Sequence, residues 1–246
     1  MSDKNSNIDS VLAVVESAKE VFSSDLHGLS DTGGLTVEMY HRYLSFQYHL
    51  TKGVQRAFMK CAGHPALSGK NRLREFLFKF ALEEEPHYRV AEIDLERMGL
   101  EPTAMPLDVA LWWAYFDQVV EERPFVRIGA TCVLENLGAG AGAMGHALLD
   151  SAPYLNKSNT RFLEIHFHEI LPHGDQIIGA LESAPLQQAD IDDLVEGAHT
   201  GAIIYLRLAR WAMGKDELTT RFDGLTGADR EEQGNYEELE ELCAFQ

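Results

Sequence analysis

The stretch Phe162–Leu181, FLEIHFHEILPHGDQIIGAL, most narrows the folds open to this chain. Set on one helix at about 100° per residue, Phe162, Ile165, His166, Glu169, His173, Gln176, Ile177 and Leu181 fall on a single stripe. A core-facing helix buries such a stripe. His166, Glu169 and His173 stand in its middle, within an arc of roughly 60°, while His168 and Asp175 point to the other side. Two imidazoles and a carboxylate are costly in a core unless something pairs them. Neutral imidazole nitrogen with carboxylate oxygen is a donor set for iron, manganese or zinc.

Two further segments repeat the pattern. In NRLREFLFKFALEEEPHYRVAEIDLERMGL the inward stripe runs Leu73, Leu77, Phe80, Glu84, His87, Ala91, Leu95, Met98. Glu84 and His87 form an E-x-x-H pair, whose spacing lets both reach one ion from one helix face. Pro86 removes an amide donor and clashes one turn back, so a kink or restart is expected there. Glu83 and Glu85 therefore stay open as the inward carboxylate beside the favoured Glu84. Pro172 stands likewise just before His173.

The third segment, FVRIGATCVLENLGAGAGAMGHALL, aligns Ile128, Cys132, Glu135, Ala139, Gly142, His146 and Leu149. Glu135 is a lone carboxylate in this largely apolar row. Gly138, Gly140, Gly142 and Gly145 weaken a helix by up to about 1 kcal/mol each, which points to close approach of a neighbouring helix or a ligand. GAGAGA lacks the preceding strand and the Lys-Ser/Thr of a phosphate loop, so a nucleotide site is set aside.

Elsewhere the chain reads as all-α, seven or eight helices, without internal repeat or convincing strand. Asn7 or Asp9 caps a helix to about Ser23, and His27–Gly34 is a loop by composition. Thr36 opens one long helix through Ala62. His41 and His49 lie off its inward side and read as surface or hydrogen-bonded. Glu101–Pro106 is a turn. The helix after it carries Trp112, Trp113, Tyr115 and Phe116, either core or the wall of a pocket. A last helix covers Asp190–Met213. Residues 1–213 form one helical domain; 214–246 is an acidic tail with a short helix from about Arg230.

Charge and cysteines exclude several classes. A net charge of −18 on 246 residues argues against a phosphate-backbone partner. Cys61, Cys132 and Cys243 are odd in number and in no CxxC arrangement, which reads as a reducing compartment. The N-terminus has no apolar signal core, and no run approaches the roughly 18–20 apolar residues of a membrane span. The expectation is a cytoplasmic protein whose partner is a small-molecule substrate, with neither nucleic acid nor membrane, and with a homodimer left open.

Three carboxylates and three histidines thus occupy core stripes of separate helices. Six nitrogen and oxygen donors without a thiolate suit two iron or manganese ions better than a closed structural zinc. In these residues the chain resembles the heme-oxygenase-like diiron oxidases, which share a fold with thiaminase II and pyrroloquinoline-quinone synthase. Glu84 and His87, with Gly99 ending their helix, are similar to the family's first ligand helix. Glu135 matches its middle glutamate, and Phe162, His166 and His173 its final H-x3-D-x2-H pattern. The resemblance covers residues 36–213. The family's acid would fall at Ile170; Glu169, one position away, is the substitute, and the first Glu–His gap is shorter than usual.

The resemblance implies a single-domain heme-oxygenase-like bundle binding Fe(II), as two ions, with manganese as the alternative metal and O2 as co-substrate. It implies oxidation of an amino-acid- or fatty-acid-derived molecule through a peroxo species, with Glu84, His87, Glu135, His166, Glu169 and His173 as ligands. Three other readings stay open: a thiaminase-like hydrolase using Cys132, a haem-degrading oxygenase with the 138–145 glycines over the porphyrin, and a non-enzymatic helical binding module. Arg127 and Arg207 could each hold a substrate carboxylate.

Overall fold

Gly53, Pro86 and Pro172 divide the seven long helical segments expected from periodicity into ten. A computed structural model of the chain describes residues 8–31, 33–167 and 172–215. Among these the helices are α1 Asp9–Asp31, α2 Val37–Thr51, α3 Val54–Gly63, α4 Asn71–Glu84, α5 His87–Arg97, α6 Leu107–Val119, α7 Pro124–Ser151, α8 Arg161–Phe167, α9 His173–Glu182 and α10 Gln188–Ala212. A 3-10 turn, Pro65–Leu67, joins α3 to α4, and no strand occurs among the described residues. None of the described helices is long and apolar enough to cross a membrane. Most of the acidic tail lies outside the described residues.

Each break has a local cause. Gly53 adopts φ 90°, a left-handed conformation that favours glycine, so the helix opened by Thr36 ends at Thr51 and restarts at Val54. Thr36 does cap it, its Oγ1 accepting from the Met39 amide at 3.2 Å. Pro86 and Pro172 stand as the N-caps of α5 and α9. α1, by contrast, runs past Ser23 to Asp31, through much of the segment whose polar composition suggested a loop. Leu29 explains the extension: it is buried against Leu148, Ala209 and Met213, and that burial outweighs weak local propensity.

The centre of the bundle is the crossing of α7 and α10. Every residue of α7 from Pro124 to Val133 is buried. A Cβ on Gly129 would fall 2.0 Å from the Leu194 carbonyl oxygen, and one on Gly197 1.8 Å from that of Val126. Only hydrogen fits at these points, so the two backbones touch. At Gly138 a Cβ would meet nothing within 4 Å, and Gly138 and Gly145 border a cavity, whereas the surroundings of Gly140 and Gly142 lie outside the described residues. α1 packs on α7 and α10, α2 packs on α5, and α3 pairs with α4. One core holds the α7–α10 centre, and a second joins Tyr40 and Leu44 of α2 to Ala91 and Leu95 of α5 and to Phe162 of α8.

Candidate metal centre

Glu84 closes the buried row of α4. Leu73, Leu77, Phe80 and Ala81 lie inside and Glu84 follows them at 5% exposure, while Glu83 and Glu85 face out. Pro86 ends the helix there, yet α5 resumes at His87 with Ala91 and Leu95 continuing the same buried row. The three-residue spacing survives the break, and His87 Nδ1 stands 2.7 Å from Glu84 Oε2. Gly99, at φ 73°, then terminates the row after Met98. Pro172 places His173 at the first position of α9 in the same way. Both imidazoles therefore sit at the positive end of a helix dipole, a position that favours neutral rings and nearby carboxylates.

Four helix segments converge on these groups. The second oxygen of Glu84, Oε1, lies 3.2 Å from His173 Nδ1, and Glu135 Oε2 from α7 lies 3.7 Å from the same nitrogen. Glu84 thus touches an imidazole with each of its oxygens. The two rings are nearly parallel, 23° apart in plane with centroids 6.5 Å apart, and Phe80 meets His173 edge-on. From the exposed side Glu83 Oε2 reaches His173 Nε2 at 3.2 Å. Glu84, Glu135 and His173 each offer a ligand atom within 4.8 Å of the others, and this group could hold a metal ion. α9 is seated by Gly174, where a Cβ would fall 2.5 Å from Asn136 Oδ1 of α7.

The protonation pattern follows from burial and charge. Burial raises the Glu135 carboxyl to about 7, with the Glu84 charge adding to the rise and the His173 bond opposing it. Burial alone would lower His173, but its bonds to Glu135 and Glu84 prevail and lift it to about 10. His87 also ends above its ordinary value, burial being outweighed by the bond to Glu84. Two acids facing each other in a core require a cation. In the protein alone the proton that His173 holds, with its value lifted to about 10, contributes that charge, and a divalent ion on the same nitrogen and oxygen atoms would supply it better. The donor set fits such an ion.

Not every candidate is brought here. Phe162, His173, Ile177 and Leu181 are buried as the stripe requires, but Ile165 is 36% exposed. The premise of one helix over Phe162–Leu181 is corrected at Pro172, whose extended ψ of 138° interrupts the helix before α9 begins. His166 belongs to α8, but its side chain lies outside the described residues, as does Glu169. Asp175 is exposed, and so is His146. His41 and His49 each donate an Nε2–H, to the Glu101 and Thr103 carbonyls respectively, both at 2.7 Å, and hold the turn after α5. Cys132 is fully buried and its thiol is pushed up to about 12, first by burial and then by the Glu135 charge. A nucleophile needs the thiolate, which this environment disfavours, so the surroundings of Cys132 lend no support to the hydrolase reading.

Asp94 went unnoticed in the sequence. It is fully buried, and its Oδ2 accepts from the Phe162 amide at 2.7 Å, capping α8. The signal was present: Asp94 lies seven residues after His87, two turns along the same face. The carboxylates Glu84 and Glu135 also border a cavity of about 220 Å³, otherwise walled largely by apolar and aromatic side chains. Trp112 is both core and cavity wall.

No family model matches the chain, and no curated protein does. Among solved structures, a domain of unknown function with a heme oxygenase-like fold from Shewanella denitrificans superposes with a TM-score of 0.71, over 85% of this chain and 92% of that one. Sequence identity is 20%, a level at which the likeness is one of fold. The chain has the heme oxygenase-like fold.

Proposed function

We propose that the protein is a non-haem iron enzyme that uses dioxygen to oxidise a small organic molecule bound beside Glu84 and Glu135. The convergence of Glu84, Glu135 and His173, with the two carboxylates also bordering an apolar cavity, carries this reading. In it these three residues hold one ion. His87 and Glu83, which contact Glu84 and His173 respectively, are the described donors next in reach for a second. His166 and Glu169 complete the set, as the sequence resemblance implies. The metal is iron, with manganese as the alternative. Bound there, ferrous iron supplies the electrons with which dioxygen is reduced.

The chain's own residues have separate tasks. Glu84 orients both imidazoles and, with Glu135, balances the positive charge of the ion. His173 gives up its proton as the ion arrives. Phe80 and the cavity walls exclude water from the donors, which strengthens every charge interaction among them. The test is anaerobic loading with ferrous iron, followed by oxygen exposure with and without amino-acid and fatty-acid candidates. Oxygen consumption should require iron and disappear in His173→Ala while the helical circular dichroism stays. Iron-free, manganese-free protein that turned over a substrate would contradict the reading.

A further inference from the structure

Arg127 has no part in the metal reading, yet it is one of the most deeply placed charges in the fold. It lies on α7 two turns before Glu135 and is 1% exposed. Its Nη1 donates to Thr131 Oγ1 at 2.6 Å, and its Cζ lies 4.8 Å from the ring centre of Phe58, 5.3 Å from that of Trp112 and 5.6 Å from that of Phe116. Its buried Nε has no acceptor among the described residues. Among the described residues no carboxylate forms an ion pair with it. The other arginine open to such a role, Arg207, is spent on the surface, where its Nε bonds Asp108 at 3.2 Å.

Arg127 lines the same cavity as Glu84 and Glu135. Arg127, Thr131, Glu135 and Leu148 all border it from α7. At 1.5 Å per residue, Arg127 lies about 12 Å along the helix axis from Glu135, and Leu148 about 20 Å beyond on the far side. The cavity therefore carries a guanidinium near one end, the carboxylates between, and Leu29, Leu148 and Met213 at the other. Stacked rings hold the guanidinium in place but offer its donors no lone pair. A carboxylate would meet the planar fork with two acceptors and cancel its charge.

We infer that Arg127 anchors the acid group of an amphiphilic anion, a carboxylate on an apolar body, that fills this cavity. That the anion is the substrate rests on the proposed iron chemistry; that it binds does not. The rival reading makes Arg127 only a counter-charge for Glu84 and Glu135. In that case an acid gains nothing over its neutral analogue.

Decanoate and decan-1-ol serve as probes, titrated into metal-free protein at pH 7.5 with tryptophan fluorescence and calorimetry as readouts. Wild type should bind the acid at least tenfold more tightly than the alcohol. Arg127→Gln should erase that preference and Arg127→Lys should keep part of it. Equal affinity for the two probes, or binding of neither, overturns the inference, and this comparison needs no variant that might misfold. The two proposals fail separately. Equal binding with iron-dependent oxygen consumption intact removes the anchor alone, whereas an acid preference in protein that holds no iron removes the oxidase alone.

Discussion

Replacing Gly174 by alanine should loosen the metal centre from behind, through packing alone. A Cβ at this position would stand 2.5 Å from Asn136 Oδ1, 2.7 Å from its Cγ and 2.9 Å from its Nδ2. The Asn136 amide cannot simply rotate away, because its Nδ2 donates to the Cys132 carbonyl at 2.7 Å. Either that bond breaks, costing about 0.5–1.5 kcal/mol, or α9 retreats against overpacking of about 1–3 kcal/mol. Alanine's better helix propensity returns at most about 1 kcal/mol. The net loss is about 1–2 kcal/mol, or roughly 2–8 °C in Tm for a chain of this size. His173 is the neighbouring residue, so a retreat of about 1 Å would open its 3.2 Å contact with Glu84. Thermal unfolding in chelator measures the first effect, and iron retained after anaerobic loading and desalting measures the second. Adding Asn136→Ala should restore both, with a coupling of about 0.5–3 kcal/mol. A Tm that rises in Gly174→Ala, with iron retention unchanged, would mean that the contact with Asn136 does not seat α9.

Three other outcomes are expected. Cys132→Ala should cost about 1 kcal/mol for the small cavity it leaves and leave iron-dependent oxygen consumption within about twofold; loss of activity at normal iron content would restore the thiol as a participant. Glu169→Ala should lower iron retention and Asp175→Ala should not, since Asp175 is exposed; equal losses would contradict the assignment. His173, at about 10, and Glu135, at about 7, both hold protons more tightly when folded. Their contribution to metal-free stability is therefore full at low pH, below the ordinary histidine and carboxyl values. It fades as pH rises through about 7 for Glu135 and about 10 for His173. Metal must displace the same protons, so ferrous affinity should increase with pH, and titration in weak buffer near pH 7.5 should release protons. An ion that binds without proton release would contradict this.

The buried rows of α4, α5 and α7 were legible because apolar periodicity reports the face of a helix directly, and a carboxylate in such a row stands out. Pro86 hid nothing, since α5 resumes with the phase that brings His87 beside Glu84. Pro172 hid more: the stripe through His166 and His173 presumed one helix, while Pro172 is extended and His173 opens a new one. Gly53 was invisible for a related reason, because a glycine within an amphipathic pattern fits both a continuous helix and a left-handed break. The close packing at Gly129 and Gly197 was not legible, because it arises only through the pairing of α7 with α10, which no single segment encodes. Arg127 and Asp94 depend likewise on neighbours from other helices. Their residue types were visible, but the partners that give them meaning were not.

Iron stoichiometry shows whether Glu84, Glu135 and His173 form a metal site. Wild-type protein and the His173→Ala and Glu135→Ala variants should be loaded anaerobically with ferrous iron, desalted and analysed for metal against protein concentration. Wild type should retain one to two ions per chain, as roughly expected for a site of four to six nitrogen and oxygen donors. Each variant should retain less than about a tenth of that, consistent with loss of one ligand in a set this small, with circular dichroism unchanged. Wild-type protein that kept no iron or manganese, or variants that kept as much as wild type, would contradict the account.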